Sequence, residues 1–357
     1  MWYTISVCIA GGNAPPDQSK RGFEVKAFTI GPNDAGLRVD RFVAKVAPRL
    51  PQALLYKYIR LKRIKVGGKR TEISRRLAEG DMVELYLNDE FFEEKAPTFL
   101  DAPADVAVLY EDENILIADK PPGLVVHEDE SGSADTLIGR IQHLLYNRGE
   151  YDPARENAFA PALCNRIDRN TGGIVLAAKN APALRVLNEK IKAREIHKQY
   201  LCVVHGHMER ESGTLTTYQV KDEAEKKVRV YDHPVPHGLT AVTRYRVLDE
   251  QDGLSLLEVD LVTGRTHQIR ATFAHIGHPL MGDGKYGHAR GRLYGARYQA
   301  LYAYRVTFAF ATDAGPLDSL KGKTVESGNI WFAQRAGKTP TAFRLGPGMF
   351  HAGHAQN

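Results

Sequence analysis

The sequence predicts an α+β protein in two parts: a small α+β module, then a larger domain whose large mixed, mostly antiparallel sheet carries flanking helices. Two short amphipathic helices and a few short strands crowd into residues 28–88. Beyond residue 106, apolar runs and helical segments alternate irregularly, without the even βα repeat of a doubly wound sheet. Two alternating runs, 242–248 and 254–262, flank Asp252-Gly253 and read as a hairpin. The 357 residues are 43% hydrophobic, enough to fill two cores.

Residues 36–42 open a short helix that ends near Pro48. Leu54, Leu55, Tyr58, Ile59 and Leu61 then recur at three- and four-residue intervals, which predicts a helix over 52–62 with that stripe inward. Arg63-Ile64-Lys65-Val66 alternates as a strand, Gly67-Gly68 turns, and 82–87 is a second alternating strand. Residues 89–105 carry Asp89, Glu90, Glu93, Glu94, Pro97 and Pro103 and read as an acidic linker. The larger domain spans 106–335. Its first strands fall at 106–110 and 115–118; Lys120-Pro121-Pro122-Gly123 stops the second, which resumes at 124–127. A helix follows with Asp135 as its expected N-cap and Leu137, Ile141 and Leu144 on its apolar face. A strand at 174–178, a helix at 181–193 and a strand at 199–205 complete the pattern. Residues 1–27 form an extension without periodicity, and 336–357, rich in Gly, Pro, Ala and His, a loosely ordered tail.

No apolar run approaches the roughly 18 residues that span a bilayer, and residues 3–10 lack the basic flank and cleavage pattern of a secretory signal. No membrane is expected as a partner. Cys8, Cys164 and Cys202 are odd in number and have no C-x-x-C spacing, so neither a disulfide framework nor a structural zinc site is expected. The expected compartment is the cytoplasm, and the expected state a monomer.

The net charge of +5 is concentrated. Between Tyr56 and Arg76 stand nine cations, Lys57, Arg60, Lys62, Arg63, Lys65, Lys69, Arg70, Arg75 and Arg76, against the single acid Glu72. A solvated helix face is the ordinary meaning of a charge run. This excess goes beyond what solvation needs, and a phosphate backbone rewards it directly. The order of elements over 28–87, with the turn Arg63-Ile64-Lys65-Val66-Gly67-Gly68, resembles an S4 RNA-binding domain. The resemblance implies that Lys57, Arg60, Lys62, Arg63 and Lys65 contact RNA.

Three segments carry unusual chemistry. Asn165-Arg166-Ile167-Asp168-Arg169-Asn170-Thr171-Gly172-Gly173 sets two arginines around one aspartate just before a buried strand. Lys198-Gln199-Tyr200 opens another strand. In Thr263-Gly264-Arg265-Thr266-His267-Gln268-Ile269-Arg270 a strand breaks at glycine and a polar helix start follows. Together with 111–127 and Gly277-His278-Pro279-Leu280-Met281-Gly282-Asp283-Gly284-Lys285-Tyr286-Gly287, they resemble the RluA-type pseudouridine synthases, whose central motif is N-R-L-D-x-x-T-S-G. That likeness covers about 106–310. Two departures stand in the central motif: Ile167 for leucine, which keeps apolar volume, and Gly172 for serine, which is expected to loosen the loop.

The resemblance implies a pseudouridine synthase fold and an isomerisation: the uridine base detaches from its sugar, turns and reattaches through C5. It makes Asp168 the catalytic carboxylate and Arg270 its ion-pair partner, a guanidinium that favours the charged form. Tyr200 would offer a flat face to uracil and a phenol for proton transfer. Arg166, Lys198 and Arg265 would contact RNA. Whether Asp168 attacks C1′, attacks C6 or supports a glycal route stays open. Ribosomal RNA is the expected partner, with tRNA the other candidate; no cofactor or metal is implied. His267, His275 and His278 lie close in sequence without the H-x-x-x-H spacing of zinc helices. Lys221, Lys226, Lys227 and Arg229 read as an RNA-facing loop, and Cys164 as a packed residue. Two rivals remain: a catalytically inactive RNA-binding or ribosome-assembly factor, and an N-glycosylase that releases the base.

Overall fold

The computed structural model describes residues 25–92, 98–128, 132–287, 296–336 and 342–346. The N-terminal module runs β1 (Lys26–Thr29), α1 (Val39–Val46), α2 (Gln52–Arg60), β2 (Ile64–Val66), β3 (Lys69–Arg70) and β4 (Met82–Leu85). Its strands pair antiparallel in the order β1-β4-β2-β3. Phe28, Phe42, Val43, Leu55, Ile59, Ile64, Val83 and Leu85 fill the space between helices and sheet. The apolar stripe of α2 is one residue shorter than its sequence suggests, because the helix stops at Arg60 and Leu61 is 57% exposed. Lys62 adopts a left-handed φ of 59°, which turns the chain so that Ile64, not Leu61, re-enters the core.

The acidic segment is anchored at both described ends. Phe92 is buried in the first core, stacked 6.4 Å from Phe28, and Phe99 is buried in the second, 5.8 Å from Tyr146 and 5.7 Å from Tyr151. Polar contacts also join the module to the larger domain. Asn157 Nδ2 donates to Asp34 Oδ2 and to the Thr29 carbonyl at 2.8 Å, and Asn33 Oδ1 accepts from the Ala181 amide at 3.0 Å.

The larger domain continues with β5 (Val108–Glu111), β6 (Ile115–Lys120), α3 (Leu137–Asn147), β7 (Ala162–Leu163), β8 (Gly172–Ala178), α4 (Ala181–Lys192), β9 (Ile196–His205), β10 (Ser212–Asp222), β11 (Lys227–Tyr231), β12 (Leu239–Gln251) and β13 (Leu254–Leu261). Then follow α5 (Gln268–His275), β14 (Leu301–Phe308), β15 (Thr324–Glu326), β16 (Ala333–Arg335) and β17 (Phe343–Leu345). One sheet runs β11-β10-β12-β13-β9-β14-β8-β6-β5, with β15 beside β14 and β7 beside β8. The large, mostly antiparallel sheet expected from the sequence is therefore present, and β12 and β13 form the expected hairpin. Among the described residues a single pairing in it is parallel, β14 with β8, through Tyr302 opposite Gly172 and Ala303 opposite Gly173. Helix α3 covers one face, burying Leu137, Ile141 and Leu145 against Leu116, Val175 and Cys202; α4 covers the other, burying Leu187 against Ile117, Leu176 and Phe308.

Three local expectations are corrected. Residues 124–127 do not resume a strand: Val125 makes one isolated bridge to Thr136, and the Leu124 carbonyl turns inward to accept from Lys120 Nζ at 2.7 Å. The N-cap of α3 is Thr136, whose hydroxyl accepts from the Gly139 amide at 3.0 Å, while Asp135 is drawn aside by Arg140 at 2.6 Å. The stretch expected as a loose tail contains β17, paired with β16. Phe343 and Leu345 are buried there, Phe343 edge-on to Tyr304 at 5.3 Å. Two apolar residues in alternation are too short a signal against a Gly- and Pro-rich background, yet they suffice to close that side of the sheet. Phe343→Ala should accordingly destabilise the domain by about 3 kcal/mol, read as a lower denaturant midpoint with unchanged slope; a midpoint equal to the parent's would mean that β17 contributes nothing to the core.

Candidate active site

The loop between β7 and β8 is held from three sides. Lys120, fully buried at the end of β6, donates from Nζ to the carbonyls of Pro121 (3.0 Å), Leu124 (2.7 Å) and Arg169 (2.9 Å). Asn165 Oδ1 accepts from the Leu176 amide at 2.8 Å, and Thr171 Oγ1 accepts from Gln299 Nε2 at 3.0 Å. A further bond from the Thr171 amide to the Asp168 carbonyl, 3.0 Å, closes the loop into a tight turn. Asp168 stands at its apex, with its side chain 28% exposed.

Arg270 meets it from α5. The guanidinium is buried and spends three of its donors on two carboxylates: Nη1 reaches Asp168 Oδ2 at 2.6 Å, while Nε and Nη2 grip Asp283 Oδ2 and Oδ1 at 2.7 and 2.9 Å. Burial opposes the charge on Arg270, but the two carboxylates outweigh it. Burial likewise pushes Asp283 up, and the bidentate guanidinium overcomes this and holds it below the usual carboxylate range. The Tyr286 ring lies 5.3 Å from the guanidinium. Its hydroxyl accepts from the Val228 amide at 2.8 Å and lies 2.9 Å from His267 Nδ1. Burial pushes His267 below its ordinary value, consistent with a neutral ring. His267 itself has a left-handed φ of 51° at the N-cap of α5, the kind of backbone strain that clusters at functional sites. Gln268 fixes that turn, accepting from Thr263 Oγ1 (2.8 Å) and the Arg265 amide (2.9 Å).

These elements line a cleft of about 1010 Å³. Asp168, Tyr200, Arg270, Arg166, Lys198 and Arg265 all border it. So do Lys192, Arg194, Lys221 and Arg244, giving eight cations against two acids, Asp168 and Asp260, among the described residues. Arg166 is exposed and makes no hydrogen bond or ion pair among the described residues. Burial lowers Lys198 from the usual lysine value. Tyr200 is 6% exposed, and burial, followed by the charge of Asp168, pushes its hydroxyl well above the ordinary phenol value. It stays a neutral phenol, a flat polarisable wall rather than a ready base.

Lys57, Arg60, Lys62, Arg63 and Lys65 lie in the N-terminal module and do not border the cleft. Lys57, Arg60 and Lys62 are exposed without an ion pair among the described residues, whereas Arg63 lies 5.0 Å from the Tyr58 ring centroid and Lys65 4.6 Å from that of Tyr86. On the β10–β11 hairpin, Lys221 pairs with Glu223 at 2.7 Å and Arg229 with Asp222 at 2.6 Å, so part of that charge is neutralised internally. The three histidines do not converge: His275 meets Asp232 and His278 the His205 carbonyl. Burial pushes Cys164 up to about 12, an inert thiol.

A family model of RNA pseudouridylate synthase matches residues 114–275. The chain is 31% identical over 299 residues to ribosomal large subunit pseudouridine synthase C of Vibrio cholerae, covering 82% of this chain and 90% of the relative. The chain belongs to the RNA pseudouridine synthase family. A second relative, ribosomal large subunit pseudouridine synthase D of Escherichia coli K12, is 32% identical over 259 residues, 72% of this chain and 75% of that one. Among solved structures, human RNA pseudouridylate synthase domain containing 1 aligns at 19% identity with a TM-score of 0.49, over 66% of this chain and 93% of that one. Membership of the family, carried by the two ribosomal relatives, makes the enzyme an isomerase. Sequence reading gave no role to Lys120, Asp283 or Tyr286 and weighed the strained His267 only as a metal ligand, although all four lie inside the motifs that carry the resemblance.

The buried amine of Lys120 gives a pH test. Burial pushes it down to about 7, against the opposing pull of Asp168. Between pH 7 and about 10 the unfolded lysine keeps a proton that the buried one releases, so the unfolding free energy should rise with pH across that window. Lys120→Met should remove that part of the slope in urea titrations at stepped pH. An unchanged slope would show that the three carbonyls hold the ammonium at its ordinary value.

Proposed function

We propose that this synthase isomerises uridine to pseudouridine in ribosomal RNA, with Asp168 as the catalytic carboxylate. The observation that carries this reading is the Asp168–Arg270 pair at 2.6 Å, standing at the wall of a cation-lined cleft. A carboxylate that must act as an anion away from bulk water needs a fixed positive partner, and Arg270 is itself fixed by Asp283. The names of the two relatives given above, both ribosomal large subunit pseudouridine synthases, support ribosomal RNA as the substrate.

In the proposed reaction the base leaves the stack and enters the cleft, where the Tyr200 ring offers it a flat face. Asp168 assists cleavage of the N-glycosidic bond; the base turns, its C5 bonds to C1′, the C5 proton departs and N1 gains one. No atom is lost to solvent beyond this exchange, so no second carboxylate is needed to activate water, in contrast to glycosidases. Arg166, Lys198 and Arg265 then hold the flanking phosphates, joined by Lys192, Arg194 and Arg244. The N-terminal module serves as a further RNA-binding surface through Lys57, Arg60, Lys62, Arg63 and Lys65, as an S4-like domain would.

Asp168→Asn is nearly isosteric and replaces the anion with an amide. Tritium release from a ribosomal RNA transcript labelled at uridine C5 should fall to background, while filter binding keeps the parent affinity, since phosphate contacts dominate it. Release at more than a small fraction of the parent rate would overturn the assignment. For the N-terminal module, neutralising Lys57, Arg60 and Lys62 together should flatten the salt dependence of RNA affinity by about 0.9 logarithmic unit for each phosphate that no longer meets a cation. A parent-like salt slope would return that face to ordinary solvation.

A further inference from the structure

Gly172 stands where the family's central motif carries serine, and a tyrosine fills the space. A Cβ placed on Gly172 would lie 2.7 Å from Tyr302 Cδ2, closer still to Cε2, and 3.3 Å from Pro122 Cδ. Its φ is not in the left-handed region, so the requirement for glycine is steric rather than conformational. The two residues face each other across the parallel β8–β14 junction.

The ring has little room to yield. Tyr302 is 3% exposed, and its hydroxyl donates to Asp119 Oδ1 at 2.7 Å. The other carboxylate oxygen of Asp119 accepts from Ser327 Oγ at 2.7 Å, and the Asp119 amide is tied to the Ala107 carbonyl at 2.8 Å. One residue before Gly172, Thr171 is bonded through its amide to the Asp168 carbonyl. A displacement at residue 172 is thus passed to Asp168 through a single turn of chain.

We propose that Tyr302 is a positioning residue for the reaction: its ring, locked by Asp119 and Ser327, replaces a side chain at position 172 and sets where the 165–171 loop ends, and so where Asp168 stands against Arg270. The departure at Gly172 therefore tightens the loop rather than loosening it. This inference rests on the catalytic role proposed for Asp168.

The test is a double-mutant cycle of Gly172→Ser and Tyr302→Leu, with Tyr302→Phe to separate ring from hydroxyl, read by kcat and KM in C5 tritium release and by thermal unfolding. Gly172→Ser should lower kcat by about 10- to 100-fold with KM within about threefold, because phosphate contacts outside the loop are untouched. Adding Tyr302→Leu should recover about tenfold of that loss, since the clashing ring atoms are gone. Tyr302→Phe, which keeps the ring and loses its anchor, should cost a few-fold in kcat. A parent-like kcat for Gly172→Ser, or losses that multiply in the double variant, would overturn the proposal. The melting cycle needs no catalysis: Tm losses that fail to add support the contact, and Tm losses that add refute it. An Asp168→Asn protein that still releases tritium would sink the functional reading alone, leaving the melting cycle to decide the contact.

Discussion

Arg270 holds two carboxylates at once, and the geometry of the site follows from that. A guanidinium buried in α5 is tolerable only if its charge and donors are matched, since removing one partner of a buried pair costs about 3–5 kcal/mol. Asp283 supplies the permanent match through two hydrogen bonds and is itself fully buried. The remaining Nη1 is then aimed at Asp168, the partner that keeps a partly open face. The division is chemically useful: one aspartate anchors the arginine, and the other stays available to a substrate. The Tyr286 ring lies against the same guanidinium and is itself hydrogen-bonded to His267.

The sheet supplies the second constraint. Asp168 lies just before the parallel junction of β8 and β14, where Gly173, with φ of 111°, leaves no space for a Cβ against the Ala303 backbone. Paired glycines let two strands approach closely there, and the loop that precedes them inherits that position. Lys120, from β6 on the other side of β8, ties the loop's carbonyls inward. Three strands of one sheet thus pin the loop that carries Asp168, so the carboxylate proposed to react is held by rigid elements although it stands on a loop.

Much of this was legible in the residues. The irregular alternation of strands and helices, the Asp252-Gly253 hairpin and the apolar face of α3 came from local periodicity, which a chain carries whether or not its partners are known. The resemblance to the RluA-type synthases implied that Asp168, Tyr200 and Arg270 share a site, and all three border one cleft. What escaped were features that depend on distant partners. The Leu124 carbonyl turns to Lys120, a buried amine that also takes the carbonyl of Arg169, 49 positions from it, and nothing near Gly172 announces a tyrosine 130 positions away. Strand β17 escaped because Phe343 and Leu345 are meaningful only against Tyr304 and Phe332. Asp283 was visible as a letter in a motif, but its work, holding Arg270, belongs to the fold.

The central claim is tested most directly by the steady-state kinetics of Asp283→Asn, a buried residue that does not border the cleft and bonds to Arg270. Folding is checked in parallel by near-ultraviolet circular dichroism, and RNA affinity by filter binding. Losing the anionic clamp should let the guanidinium shift from Asp168, lowering kcat for C5 tritium release by about 100-fold while the folded signal and RNA affinity hold. A folded Asp283→Asn enzyme that turns over at the parent rate would contradict the claim that the Asp168–Arg270–Asp283 bridge sets the active site.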